Sequence, residues 1–227
     1  MTGYTKIFKN DYVKAAVTIG LMAAIVLGFY FGLAVALGTW VPLRVVTSGS
    51  MCTAENGCDG WSCAFEHTLH RGDIIVIQNV KPEELNADYP NSDIIVFQKP
   101  TTHENPDETP VVHRIVEKYQ VDGVWYFQTK GDGNGLDWPA SVDVSDYDSH
   151  GALWSTGEGV PQDLVLGKVV MRIPYFGHIT LIMQENNFAV PLVVLLIVLL
   201  VGVQFVAPAV RAKKKKRVEQ KGSTLQV

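Results

Sequence analysis

The sequence predicts a mainly β protein, in which a folded-over antiparallel β-sheet domain lies between two transmembrane helices. Three observations support this prediction. Two long apolar segments lie near the ends of the 227-residue chain. Between them, short runs rich in β-branched residues alternate with turn residues, as in sandwiches and barrels. The charge is also uneven, because both ends are basic and the middle is acidic.

The apolar segments cover residues 15–37 and 189–210. Each has the ~20 residues that a helix needs to cross a bilayer core. A cleaved signal peptide is the alternative for the first segment, but its apolar run exceeds a signal core and no clear small-x-small site follows. A buried helix of a soluble protein is the alternative for either. We therefore expect two membrane spans.

The charge distribution predicts how the chain is oriented in the membrane, and it excludes nucleic acid as a partner. Residues 1–37 carry +2 and residues 189–227 carry +6, which leaves −12 for residues 38–188 in a chain of net charge −4. Basic residues beside a span stay in the cytoplasm. We therefore expect a two-pass protein of the cell membrane, with residues 1–14 and the basic tail 211–227 inside and residues 38–188 outside. The tail favours contact with membrane lipid. An acidic domain is unsuited to nucleic acid.

The region between the spans contains six predicted strands. Turn residues such as Asp122 and Gly123 separate them, and this pair predicts the tip of a β-hairpin. A helical turn is expected at residues 81–85, and an acidic insertion of little regular pattern at residues 139–163. The six strands are expected at residues 43–46, 73–78, 93–98, 111–120, 124–129 and 164–173.

Three cysteines, Cys52, Cys58 and Cys63, lie within twelve positions of one another. An oxidising exterior permits one disulfide, for which we expect Cys52 and Cys58. A zinc site that also uses His67 and His70 is the alternative. Its spacing matches no common structural zinc pattern, so no metal and no cofactor are expected.

A serine on a small-residue turn is the first candidate for chemistry. Residues 47–51 read Thr-Ser-Gly-Ser-Met, and a serine becomes a nucleophile when an adjacent base takes its proton. Among the histidines, His113 lies within a predicted strand. A half-buried structural histidine is the alternative interpretation. Carboxylates that orient a base are offered by Asp132 and Asp137, in and after a glycine-rich loop, residues 131–135, that follows the next strand. A plain surface turn is the alternative there.

Six motifs in this order resemble type I signal peptidases, of the branch shared by archaea and the eukaryotic endoplasmic reticulum. The resemblance covers most of residues 40–180. The motifs are Ser-Gly-Ser-Met at 48–51, Arg-Gly-Asp-Ile at 71–74, Asp-Ile-Ile-Val-Phe at 93–97, Val-His-Arg-Ile at 112–115, Thr-Lys-Gly-Asp-Gly-Asn at 129–134 and the run from Gly to Gly at 167–177.

The resemblance implies a role for each matching residue. Ser50 matches the nucleophile, and Ser48 matches the position that helps to form the oxyanion hole. His113 matches the general base, where bacterial members place a lysine. Asp132 and Asp137 fall in the family's Gly-Asp-Asn-Asn…Asp motif. The family also implies that the substrate binds as an added strand, with small residues at the first and third positions before the cut.

The sequence departs from the family pattern at two places. Gly133 replaces the usual asparagine, and the second aspartate comes five positions after the first instead of six, where Trp138 stands. We expect Asp137 to orient His113 and Asp132 to support it. Residues 52–70 also form a long insertion.

Together, these features predict a membrane-anchored serine endopeptidase that removes signal peptides from exported preproteins at the outer face of an archaeal cell membrane. Its expected partners are preproteins bearing signal peptides, membrane lipid and the secretion translocon. Two alternatives stay open at this point. One is a non-catalytic β-domain receptor or assembly factor, and the other is a protease for a narrower class of precursors, such as pilin-like proteins.

Overall fold

The structure, a computed structural model, describes residues 11–53, 68–100, 109–151, 153–186 and 188–199. One long apolar helix, α1 (Asp11–Leu37), precedes an antiparallel half-barrel sheet, and a short helix, α2 (His178–Glu185), follows it. The strands are β1 (Leu43–Val45), β2 (Ile74–Gln78), β3 (Ile94–Phe97), β4 (Val111–Val121), β5 (Val124–Lys130), β6 (Val160–Pro161) and β7 (Val165–Ile173).

The sheet has the strand order β1-β2-β7-β3-β4-β5-β6, and all neighbours are antiparallel. The last strand of the chain, β7, therefore joins the β1–β2 pair to the β3–β6 group. All six predicted strands are present, and their ends lie within one residue of the prediction. The predicted mainly β antiparallel domain is thus confirmed. The additional strand, β6, has only two residues, which is too short for a sequence pattern.

The predicted hairpin joins β4 to β5. Asp122 and Gly123 both have positive φ, at 50° and 83°, as the two central residues of a type I′ turn require. Val121 and Val124 pair on either side of that turn. The register set at the turn shifts by one residue at a bulge between Ile115 and Glu117, and this shift brings Lys130 opposite Arg114 at the far end of the hairpin.

Apolar side chains cover both faces of the sheet. Successive side chains of a strand point to opposite faces, and β3 shows the consequence. Its Ile95 and Phe97 belong to one core cluster and its Val96 belongs to the other. The first cluster also contains Leu85, Ile115, Phe127, Trp154 and Val160, and the second contains Val46, Met51, Leu69, Ile75 and Ile77.

The described residues of the acidic insertion (139–163) pack against the sheet. It contains two complete 3₁₀ turns, Val144–Asp146 and Asp148–His150, and contributes β6, and a third turn, Gln162–Leu164, begins at its end. Trp154 is 4% exposed and meets Phe97 edge-on, with ring centroids 6.0 Å apart. The insertion therefore supplies part of the first core.

The chain divides into two compact units, residues 29–181 and residues 1–28 with 182–227; the sheet belongs to the former. In α1, Val13–Leu37 is long and apolar enough to cross a membrane. Near the other end, α2 and the helical stretch Ala189–Leu199 reach span length only together, and they meet at 110°. The second predicted span therefore stays a prediction.

Candidate active site

Ser50 lies on the tight turn that follows β1. The Cys52 N–H donates to the Gly49 carbonyl at 2.9 Å and closes the turn. The turn is anchored on both sides, because Val46 is 4% exposed and Met51 is 1% exposed, both in the second core cluster. The Ser50 side chain is half-buried between these anchors.

His113 lies on β4, opposite Ile95 of β3, and is 2% exposed. Its Nε2 lies 2.8 Å from Ser50 Oγ. On the other side of the ring, Nδ1 lies 2.6 Å from Asp148 Oδ2. With a hydrogen on Nδ1 donated to the carboxylate, Nε2 has a lone pair to accept the Ser50 hydroxyl proton. The three side chains thus form one hydrogen-bonded series.

Asp148 begins the second 3₁₀ turn of the acidic insertion and is fully buried. Thr129 Oγ1, on β5, also donates to its Oδ2, at 2.8 Å. The next residue, Ser149, donates to Gln128 Oε1 at 2.6 Å and fastens the turn to β5. Neither Asp148 nor Thr129 was predicted from the sequence as a residue of the site.

Asp148 occupies the place beside His113 that the sequence predicts for Asp137. An imidazole Nδ1 carries one hydrogen, and Asp148 accepts it here. The reason is topological: the chain turns back after the glycine loop (residues 131–135), and the insertion returns a later aspartate to the base. Asp137 is half-buried and contributes to the field at Lys130.

Asp132, the expected supporting carboxylate, forms an ion pair with Arg114, which follows His113 on β4. Its two oxygens accept from Arg114 Nε and Nη2, each at 2.8 Å. Burial raises the pKa of the Asp132 carboxyl and outweighs the lowering by Arg114. Trp138 lies over the guanidinium, with its ring centroid 5.3 Å from Arg114 Cζ. Asp132 thus holds β4 and the glycine loop together.

The glycine loop lies directly against the serine turn. The Gly133 N–H donates to the Ser50 carbonyl at 2.9 Å. A Cβ on Gly133 would lie 2.0 Å from the Cys52 carbonyl oxygen. A Cβ on Gly131 would lie 2.5 Å from the Ser50 carbonyl oxygen and 2.9 Å from His113 Nε2. Glycine at both positions therefore allows the backbone of the loop to support the turn.

Ser48 and Cys52 flank Ser50 on the same turn. The Ser48 and Ser50 hydroxyl oxygens lie 3.2 Å apart, so both point to one region of the surface. Cys52 is disulfide-bonded. Cys58 and Cys63 lie outside the described residues, so the expected pairing of Cys52 with Cys58 stays a prediction. His67 also lies outside them, and the described part of the chain contains no group of three metal-ligating side chains.

A serine, a histidine and a buried aspartate in hydrogen-bonded series define the class of serine hydrolases. Comparison with known proteins shows which serine hydrolases this chain resembles. The chain is 28% identical over 183 residues to the signal peptidase complex catalytic subunit sec11 of Dictyostelium discoideum, covering 80% of this chain and 83% of that protein. It is 28% identical over 181 residues to the catalytic subunit SEC11C of Homo sapiens, covering 79% and 77%. It is 26% identical over 190 residues to SEC11 of Yarrowia lipolytica, covering 83% and 81%.

No family model matches the chain. The named relatives nevertheless cover most of its length, and they confirm the resemblance to the serine–histidine branch of signal peptidases. This homology indicates that the chain is a serine endopeptidase. The alternative of a non-catalytic receptor is not favoured, because the relatives are catalytic subunits.

Proposed function

We propose that this protein is a membrane-anchored serine endopeptidase that cleaves signal peptides from exported preproteins at the outer face of an archaeal cell membrane. Ser50 is the nucleophile, His113 the general base and Asp148 the carboxylate that orients it. The observation that carries the proposal is the series from Ser50 Oγ to His113 Nε2, at 2.8 Å, and from His113 Nδ1 to Asp148 Oδ2, at 2.6 Å.

The reaction proceeds in two acyl-transfer steps. Ser50 Oγ attacks the scissile carbonyl carbon while His113 Nε2 takes the hydroxyl proton, and the tetrahedral oxyanion forms. His113 then gives that proton to the leaving amine, and the C–N bond breaks. Water attacks the acyl-enzyme in the second step, with the same base, and releases the carboxylic acid. Asp148 stabilises the imidazolium in both steps.

The oxyanion is stabilised from the serine turn itself. The Ser50 backbone N–H and the Ser48 hydroxyl are the proposed donors, and the short distance between the two hydroxyl oxygens, 3.2 Å, supports this assignment. Removal of one such donor costs about 2.7–4 kcal/mol of transition-state stabilisation in related chemistry.

The substrate binds as an extended strand beside the serine turn. β1 pairs with β2 on one edge, and no other strand that the structure describes pairs with its second edge. An added peptide strand at this edge would leave its carbonyl near Ser50, because the turn follows directly from β1. Small side chains at the first and third positions before the cut are the expected preference.

The membrane sets which peptides reach the site. Residues 15–37 and 189–210 are the proposed spans, with residues 1–14 and 211–227 in the cytoplasm and the domain 38–188 outside. Val13–Leu37 supports the first span. Only five residues separate Leu37 from β1, so the serine turn stays near the bilayer surface. Preproteins, membrane lipid and the secretion translocon are the proposed partners.

The test is processing of a preprotein by purified full-length protein. Ser50→Ala should abolish cleavage, because it removes the hydroxyl that lies 2.8 Å from His113 Nε2. Ser145→Ala is the matched control, since Ser145 lies exposed on the first 3₁₀ turn of the insertion and should leave the rate unchanged. Cleavage by Ser50→Ala at the parental rate would contradict the proposal.

A further inference from the structure

We propose that Arg44 is a specificity-determining residue: its guanidinium, on the strand beside which the substrate is proposed to bind, pairs with a carboxylate side chain of the preprotein shortly before the cleavage site. The inference rests on the proposed function of the same site. It adds a preference for aspartate or glutamate at one further position to the small side chains expected at the first and third positions before the cut.

Arg44 points to the same face of the sheet as the residues that anchor the serine turn. It pairs with Ile75 of β2, and residues directly opposite each other in an antiparallel pair share a face. Val46 shares that face too, because side chains alternate and its N–H continues the pairing by donating to the Asp73 carbonyl. Ile75 and Val46 both belong to the second core cluster, together with Met51 of the turn. Arg44 therefore lies beside the core that supports the nucleophile.

The Arg44 guanidinium forms no ion pair within the described part of the chain, and its buried Nε makes no hydrogen bond there. Two other arginines of the sheet differ in this respect, since Arg114 pairs with Asp132 and Arg172 pairs with Asp73. Acidic side chains are not scarce, because the region between the proposed spans carries −12. A desolvated donor without a partner costs free energy, and a carboxylate supplied by a ligand removes that cost.

Asp73 is the carboxylate on the same face at the start of β2, and its Oδ2 is already engaged. This oxygen lies 2.5 Å from Arg172 Nε, on β7, and accepts from the His70 backbone N–H at 2.7 Å. Because β2 lies between β1 and β7, the pair with Arg172 draws the carboxylate away from β1. Arg44 is therefore left for a group that comes from outside the described fold.

A peptide strand added beside β1 brings its own side chains to Arg44. No strand that the structure describes pairs with the second edge of β1. Neighbouring strands lie about 4.8 Å apart, and every second side chain of an added strand projects to the face of Arg44. Arg44 is half-buried, so an aspartate or glutamate on that strand can reach the guanidinium. The planar guanidinium fits a carboxylate with two parallel hydrogen bonds.

The facing substrate residue lies before the cut when the added strand runs parallel to β1. The scissile carbonyl then lies at Ser50, and the preceding residues run back along β1 towards Leu43. Ser50 follows Arg44 by six positions, and the tight turn between them shortens that path. The facing position is therefore at most about six residues before the cleavage site.

The experiment measures kcat/KM of the purified full-length protein on a panel of preproteins. Each preprotein carries glutamate, glutamine or lysine at one of the second to sixth positions before the cut. We expect the parent protein to favour glutamate over lysine by roughly tenfold at one position, or at two positions that alternate along the strand, because a hydrogen-bonded charge pair is worth at least that factor.

Three substitutions of the arginine test whether this preference comes from its charge. Arg44→Glu should reverse the preference, so that lysine is favoured over glutamate at the same substrate position. Arg44→Gln should abolish it, and Arg44→Lys should keep its direction. A residue that only stabilised the fold would change all substrates by the same factor. If Arg44→Glu does not fold, the comparison of Arg44→Gln with Arg44→Lys tests the same charge dependence.

Lys81 offers a control with the same change of charge. It is exposed and caps the 3₁₀ turn Pro82–Glu84, beyond the end of β2 that is remote from the serine turn. Lys81→Glu should therefore keep the parental preference at every substrate position.

A parent protein that does not distinguish glutamate from lysine at any of the positions would overturn the proposal, and so would a parental preference in Arg44→Glu. Arg44→Glu that keeps the parental preference but loses activation by phosphatidylglycerol vesicles would assign Arg44 to a lipid headgroup phosphate instead. The unsubstituted preprotein separates the two proposals. Its cleavage by the parent and not by Ser50→Ala supports the proposed function even where no charge preference is found.

Discussion

Asp148 is the residue on which the chemistry of the site depends most. Its Oδ2 accepts from His113 Nδ1 and from Thr129 Oγ1, so the carboxylate is held from two sides. A carboxylate in this place fixes the tautomer of the imidazole and stabilises the imidazolium that forms during attack. The hydrogen bond from Thr129 prevents the carboxylate from turning away from the base.

The first prediction compares two aspartates. Asp148→Asn should lower kcat by about 10³–10⁴-fold, because an amide presents a donor to Nδ1 and stabilises the wrong tautomer. Asp137→Asn, the matched control, should change kcat by only a few-fold. Measurement of kcat for both variants on one preprotein distinguishes the two assignments. A larger loss in Asp137→Asn would restore the residue that the family motif suggests.

The second prediction concerns Gly133, whose missing side chain allows two backbones to meet. In Gly133→Ala the new Cβ would lie 2.0 Å from the Cys52 carbonyl oxygen, so the loop must move away from the Ser50 turn. We expect at least a ~100-fold loss of kcat/KM, because a displacement of a nucleophile by ~1 Å can lower the rate by about that factor. Gly32→Ala, in α1 with no atom within 4 Å of the added Cβ, should retain parental activity.

At the scale of single residues, part of the site was predictable from the sequence. Ser50 and His113 lie within short motifs, and the structure brings them together at 2.8 Å. Asp148 lies in no such motif. It stands near Asp143 and Asp146 in an acidic segment, and nothing in the local sequence distinguishes the buried member of that group. Only the path of the chain around the sheet selects it.

At the scale of elements, β4 and the glycine loop are joined by a buried ion pair. Arg114 and Asp132 have side chains that are 6% and 1% exposed. The Arg114 Nη1 also donates to the Ser92 carbonyl at 2.8 Å, and the Trp138 Nε1 donates to the Pro90 carbonyl at 2.9 Å. Arg114, which follows His113 on β4, therefore bonds to the glycine loop through Asp132 and to the segment before β3 through Ser92.

The third prediction tests this connection. Asp132→Asn should lower the free energy of unfolding of the domain by about 3–5 kcal/mol, because it leaves a buried guanidinium without its charge partner. Asp93→Asn is the matched control. Its partner Lys168 lies 3.3 Å away and the pair is partly exposed, so we expect about 1 kcal/mol or less. Denaturant unfolding of the full chain in detergent, followed by tryptophan fluorescence, measures both.

The elements were more predictable than their arrangement. Runs such as residues 74–78 and 94–97 are strands because β-branched side chains fit a pleated, half-buried surface. Their order in the sheet depends on β7, which inserts between β2 and β3 from far along the chain. Local propensity contains no information about such a pairing.

At the scale of the whole molecule, the proposed topology places the domain and the basic tail on opposite sides of the membrane. The fourth prediction uses two engineered thiols and a maleimide that does not cross membranes. Ser145→Cys, in the domain, should react in intact cells. Ser223→Cys, in the tail, should react only after the membrane is permeabilised. The parent protein gives the background from its native cysteines, and labelling of Ser223→Cys in intact cells would exclude two spans.

The position of Asp148 also bears on how the enzyme is made. The three side chains of the site are spread over almost a hundred residues, from Ser50 to Asp148, and the aspartate arrives on the segment that enters the core through Trp154. A growing chain that already exposes the serine turn therefore still lacks its complete machinery. With the proposed catalytic residues, the site is complete only when that late segment has emerged and packed against the sheet.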